Sequence, residues 1–69
     1  MSRRQRQLDE LHDLCRCGAV SRAVDLAFEH FACFGRDDDI IDVLAEATRH
    51  PAVTERARNR FVELRASYR

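Results

Sequence analysis

Two glycines and one proline, at Gly18, Gly35 and Pro51, are the only strong breakers in this 69-residue chain. Glycine suits the left-handed turn that closes a helix, and proline disfavours helical geometry in the residue before it. These three positions therefore divide the sequence into four segments of helical length. Helix-favouring residues dominate each segment, and no stretch alternates with the period of a strand. The length allows one domain and no more. The spacing predicts an all-α fold over residues 1–69, a compact domain of about four short, mostly antiparallel helices that self-associates. Residues 1–6 are expected to form a flexible basic arm.

The first segment, residues 4 to 17, places Leu8, Leu11 and Cys15 on one face with Leu14 beside them, and Gly18 caps it. The second, residues 20 to 34, carries Val20, Ala23, Val24, Ala27, Phe31 and Phe34 on one stripe, widened by Leu26, Phe28 and Cys33. A helix apolar over so much of its circumference is expected at the centre of the domain or against a second subunit. Asp37 is placed to cap the third helix, with Asp38 and Asp39 favouring the positive end of its dipole. Ile40, Val43, Leu44 and Ala47 should form that helix's buried face. The fourth begins at Pro51 or Thr54, and Val53, Ala57, Phe61, Leu64 and Tyr68 recur along it at helical spacing.

Nine of the apolar residues are alanine and three are cysteine, which leaves a small set of large side chains and no tryptophan. The entropy of ordering each residue, roughly 1.5 kcal/mol, nearly cancels what so small a core supplies. A partner subunit, a metal or a disulfide would relieve that shortage, and a homo-oligomer is the expected remedy. No apolar run is long enough to span a membrane, and acids interrupt the stretch after the basic start where a signal or matrix-targeting peptide would need none. Three cysteines, an odd number, are read as reduced thiols of a cytoplasmic protein.

Charge is unevenly distributed behind a net of zero. All twelve basic residues are arginine. Residues 1 to 7 hold three of them and no acid, residues 8 to 48 hold three against ten carboxylates, and residues 49 to 69 hold six against two. Such asymmetry bears on association with partners, not on fold or chemistry. Arginine binds phosphate bidentately, so Arg3, Arg4, Arg6, Arg56, Arg58, Arg60, Arg65 and Arg69 form a candidate nucleic-acid surface. Glu55 and Glu63 interrupt it, and arginine interspersed with glutamate is also the ordinary solvated face of a helix. Asp37, Asp38, Asp39 and Asp42 lack the alternation and mid-loop glycine of a calcium loop; helix capping explains them, and an acidic patch for another copy's arginine-rich tail is a further use.

His12, Cys15, His30 and Cys33 have the chemistry of a tetrahedral zinc site. In an antiparallel hairpin, however, Cys15 lies beside the turn and His30 about 15 Å beyond it, so the two pairs fall at different heights. Cys15 and Cys33 are instead read as small core residues. Cys15 and Cys17 point about 200° apart on a continuous helix and cannot close a disulfide there. No cofactor is expected.

Gly18-x-Val20-x-x-Ala23-x-x-x-Ala27 is similar to the middle of a tetratricopeptide-type helical hairpin, in which small residues let two helices approach closely. His30 and Gly35 depart from that pattern and no repeat follows, so the resemblance implies a tight hairpin and nothing more. No glycine-rich phosphate loop, nucleophile elbow or His-Glu-x-x-His arrangement occurs, and so small a domain should leave little room for a cleft of ~300 Å³ or more. The expected function is therefore a small dimeric interaction or adaptor module without catalysis or small-molecule substrate, contacting its partner through Leu26, Phe28 and Phe34. Nucleic-acid-binding regulation is the alternative, and a zinc-stabilised helical domain the third.

Overall fold

Local capping signals set most of the helix boundaries in the structure, a computed structural model that describes residues 2–68. Helix α1 spans Arg3–Arg16, α2 Val20–Phe34, α3 Asp38–Ala47 and α4 Glu55–Ser67. Ser2, Asp37 and Thr54 cap α1, α3 and α4 by accepting from the amides of Gln5, Asp39 and Ala57. Those bonds satisfy donors that a helix start otherwise leaves open, each worth about 1 kcal/mol. Gly18, at φ 83°, closes α1 as expected: the Gly18 amide donates to the Cys15 carbonyl and the Ala19 amide to that of Leu14. That pair of bonds defines a Schellman turn. Gly35 ends α2 at φ 85° and ψ 179°, a region open essentially to glycine alone.

The basic arm expected over residues 1–6 is, from Arg3 onward, the first turn of α1. One local contact and one long-range contact order it. Ser2 supplies the cap, and the Arg4 guanidinium reaches across to Asp37 and Asp39.

Helix α2 packs against all three others, whereas α1 and α4 do not meet. The start of α1 meets the start of α3 through Arg4 and Asp37, and the end of α4 meets the last turns of α2 through Tyr68 and Phe31. The wide apolar surface of α2 is thus spent mainly inside the domain. Ala23, Val24, Ala27 and Phe31 join Leu11 of α1, Ile40, Ile41 and Leu44 of α3, and Ala57, Phe61 and Leu64 of α4 in one core. Small residues at 23 and 27 permit the close approach that the hairpin resemblance implied. Tyr68 sets its ring edge-on to Phe31 at 5.3 Å and to Phe28 at 6.5 Å, closing the α2–α4 seam.

Three departures from the expected faces matter below. Phe34 is 52% exposed, because α2 ends there and the chain turns away at Gly35. Cys33 is exposed, not core, since it points off the stripe that faces the other helices. Val43, Ala47 and Val53 are only partly buried, because the α3–α4 connection stands away from the α1–α2 turn.

Candidate interaction surfaces

The two ends of the helical bundle differ in chemistry. At one end, α1 starts, α2 gives way to α3, and α4 finishes. His30 is buried there, at 1% exposure, on a helix face otherwise committed to hydrocarbon. Its Nδ1 donates to the side-chain carbonyl of Gln7, and its Nε2 lies 3.4 Å from Asp37 Oδ2. Asp37 caps α3 and also accepts from Arg4 Nε and Nη2 at 2.7 and 3.0 Å. The guanidinium holds the Asp37 carboxyl below the usual carboxylate range, outweighing the opposing effect of partial burial. Arg36 pairs with Asp38 at 2.8 Å and donates to the Tyr68 carbonyl at 2.9 Å, tying in the end of α4. Among the described residues no buried side-chain polar atom lacks a partner.

The opposite end is open. Cys15, Cys17, Val20, Val43, Ala47 and Val53 line a groove of about 630 Å³ between the α1–α2 turn and the α3–α4 connection, with His12, Arg16, Glu46 and His50 at its polar positions. So small a domain was expected to leave little room for a cleft of this size. Three residues assigned to the core by their spacing are walls of the groove instead. Burial raises the pKa of the Cys15 thiol above that of a free cysteine. His50 Nδ1 accepts from the Ala52 amide at 3.1 Å, which leaves Nε2 as that ring's outward group. Sequence reasoning missed both His50 and this groove.

The four zinc candidates do not share a place. His12 and Cys15 stand at the groove, His30 is held in the polar network at the other end, and Cys33 is exposed on α2. The two pairs are separated along the bundle as the antiparallel argument required. Among the described residues, no three His, Cys, Asp or Glu side chains converge closely enough to hold a metal ion.

Leu26, Phe28 and Phe34, the expected contact residues, lie on different sides of α2. Leu26 faces a cleft shared with α1, Phe28 sits beneath the Arg60 guanidinium at 4.5 Å, and Phe34 rests on the His30 ring at 4.9 Å. Phe34 alone is strongly exposed, so the three do not form one patch.

The eight arginines separate in the same way. Arg4 serves Asp37 and Asp39, while Arg60 pairs with Asp25 at 2.9 Å and Glu63 at 3.0 Å. Those carboxylates raise the pKa values of both guanidiniums. Arg58 donates to the carbonyls of Thr48 and His50, closing the end of α3. Arg65 stacks over Phe61 at 5.7 Å, and Arg3, Arg6, Arg56 and Arg65 form no ion pair among the described residues. Arg69 lies outside the described residues.

The fold and its surfaces define a small all-α four-helix domain. No protein-family model matches the chain, and no curated protein or solved structure is significantly similar to it. No helix among the described residues is long and apolar enough to cross a membrane.

Proposed function

We propose that the chain is a regulatory or adaptor interaction module of the cytoplasm that self-associates, at least as a dimer, and binds a protein partner through the open groove without catalysing a reaction. The observation that carries this reading is the groove itself. Val43, Ala47 and Val53 are spaced as core residues, yet each is only partly buried and lines the open groove with the surface that remains. Its volume is that of a typical binding cleft, about 300–1,000 Å³, and its lining combines small apolar walls with a few polar groups able to orient an occupant. An apolar side chain or helical turn of a partner fits that chemistry.

Selection of random peptides by display, counter-selected on the Val43→Arg/Val53→Arg variant, tests it. Enrichment of apolar peptides that bind the wild type and lose binding to the variant is the expected result. Failure to enrich any peptide, or binding indifferent to the two substitutions, would overturn the groove as the site.

A second reading, nucleic-acid binding, is favoured by one observation. The start of α1 and the finish of α4 meet the same α2–α3 corner, through the Arg4–Asp37 and Arg36–Tyr68 bonds, so Arg3, Arg6 and Arg65 belong to one end of the bundle. Fluorescence anisotropy against double-stranded DNA and single-stranded RNA checks it. Affinity that collapses between low and physiological salt and falls on Arg3→Ala/Arg65→Ala would favour this reading over the protein partner.

A further inference from the structure

We infer that copies of this chain join head to tail, the outer face of α4 on one copy entering the cleft between α1 and α2 on the next. The inference rests on the proposed self-association and specifies its surfaces.

The cleft is distinct from the groove. Leu14 and Leu26 contribute its apolar lining and are half-buried against the core, while Glu10, Asp25, Glu29 and Arg22 surround them in a space of about 450 Å³. Three carboxylates against one guanidinium leave this surface acidic. Arg60 answers Asp25 within the chain, but Glu10 and Glu29 form no ion pair among the described residues. An apolar surface with unanswered acids beside it fits an apolar knob flanked by cations.

The same chain displays such a knob. Val62 is 63% exposed, more than any other large hydrophobic residue described, and shares a shallow depression with Arg36, Arg65 and Ala66. Arg36 is committed to Asp38, and Arg65 is in no ion pair among the described residues. Val62 would meet Leu14 and Leu26, with Arg65 facing Glu10 and Glu29.

One chain cannot satisfy itself in this way. Arg60, on one flank of α4, reaches Asp25 of α2, and Arg58, on the other, reaches the α3–α4 connection. At 100° per residue, Val62 and Arg65 lie within about 40° of Arg58 on the wheel, on the flank turned from α2. Cleft and knob therefore occupy different faces, and each copy offers one of each. Such a heterologous contact builds a ring if the rotation closes and an open chain if it does not. Because the complementarity is partly ionic, assembly should weaken with salt.

Sedimentation velocity on the purified full chain tests this, up to about 1 mM protein, where even weak contacts register. Wild type should grow with concentration and shift back toward monomer near 1 M salt, where the screening length falls to about 3 Å. Two surface variants remove one face each: Val62→Ser/Arg65→Ser the knob, and Glu10→Arg/Glu29→Arg the cleft. Each alone should sediment as monomer with an unchanged circular-dichroism melt. Mixed in equal amounts they should form a one-to-one heterodimer that grows no further, because one intact knob meets one intact cleft. A wild type monomeric at every concentration would overturn both this contact and the proposed self-association, leaving the groove reading standing. A wild type that assembles, with variants that assemble equally well or fail to pair on mixing, would overturn the head-to-tail contact alone.

Discussion

Both ends of α2 must be covered by neighbouring helices, and the chain treats them differently. At the Phe31 end it inserts a buried imidazole and surrounds it with Gln7, Asp37 and Arg4, so three helices are tied by directional bonds. At the Val20 end it places glycine, cysteine, alanine and valine, and the α3–α4 connection stays clear of the α1–α2 turn. A polar network fixes geometry because each member is costly to leave unpaired. Small apolar walls impose no such demand and leave the groove open. Stability should therefore be concentrated at one end and binding at the other.

The largest expected effect contrasts the two ends directly. Phe31, buried against Tyr68, should cost about 3–5 kcal/mol on truncation to alanine. Domains of this kind hold only about 5–15 kcal/mol in total, so Phe31→Ala should melt far lower or fail to fold. Val53→Ala, at the groove, removes fewer atoms from a side chain that is only partly buried and should cost about 1 kcal/mol. Equal losses in urea unfolding would erase the contrast.

Next comes His30 itself. His30→Ala removes a ring that stacks on Phe34 and strands the Gln7 amide and one face of Asp37, at an expected ~2–3 kcal/mol from cavity and lost hydrogen bond together. His30→Gln, able to bond at one of the two positions, should recover part of the loss. A histidine that only filled space would be replaced at least as well by leucine, so His30→Leu is the sharpening control.

The sequence displayed the four helices and hid what each end of the bundle holds. Glycine caps, the Asp37 cap and the α4 stripe are local signals, decided within a turn or two of chain, and they placed all four helices. Ser2 could have been read as the cap of α1, which would have shortened the basic arm. Spacing offers His30 only as a zinc ligand, because its true partners, Gln7 and Asp37, lie 23 and 7 residues away and converge only after α1 and α3 dock. The groove was illegible for the opposite reason. Val43, Ala47 and Val53 carry the periodicity of a core, and periodicity states which face is apolar, not whether the chain has anything left to cover it. Leu26, Phe28 and Phe34 widen the apolar surface of α2, but residues two and six apart on a helix point in different directions, and only Phe34 is exposed.

Asp37 offers a smaller, pH-tunable cut at the sealed end. Asp37→Ala removes the α3 cap and the partner of Arg4, at an expected ~1–2 kcal/mol, whereas Asp37→Asn keeps the cap and loses chiefly the ionic contact. Arg4 depresses the folded-state pKa of Asp37, so its stabilising contribution is complete above the ordinary carboxylate pKa of about 4 and is lost as pH falls through the folded value. Wild type should consequently lose stability as the pH falls below about 4, and Asp37→Asn should lose less over the same acid range. Parallel pH curves for the two would remove Asp37 from the network's charge balance.

The smallest effect is chemical and reports on the groove. Cys15 and Cys17 line it, while Cys33 is exposed away from it on α2. The thiolate is the reacting form, and burial keeps the Cys15 thiol protonated to higher pH than a free cysteine. Under iodoacetamide near neutral pH, mass spectrometry should find Cys17 and Cys33 modified before Cys15, with the Cys15 rate still rising at alkaline pH. None of these modifications need disturb the core, since all three thiols lie outside its fully buried set. A groove-bound peptide should slow alkylation of Cys15 and Cys17 and leave Cys33 unchanged. Protection of Cys33 as well would place the occupant elsewhere or show a general tightening of the domain, and the proposed division between a sealed end and a receiving end would then fail.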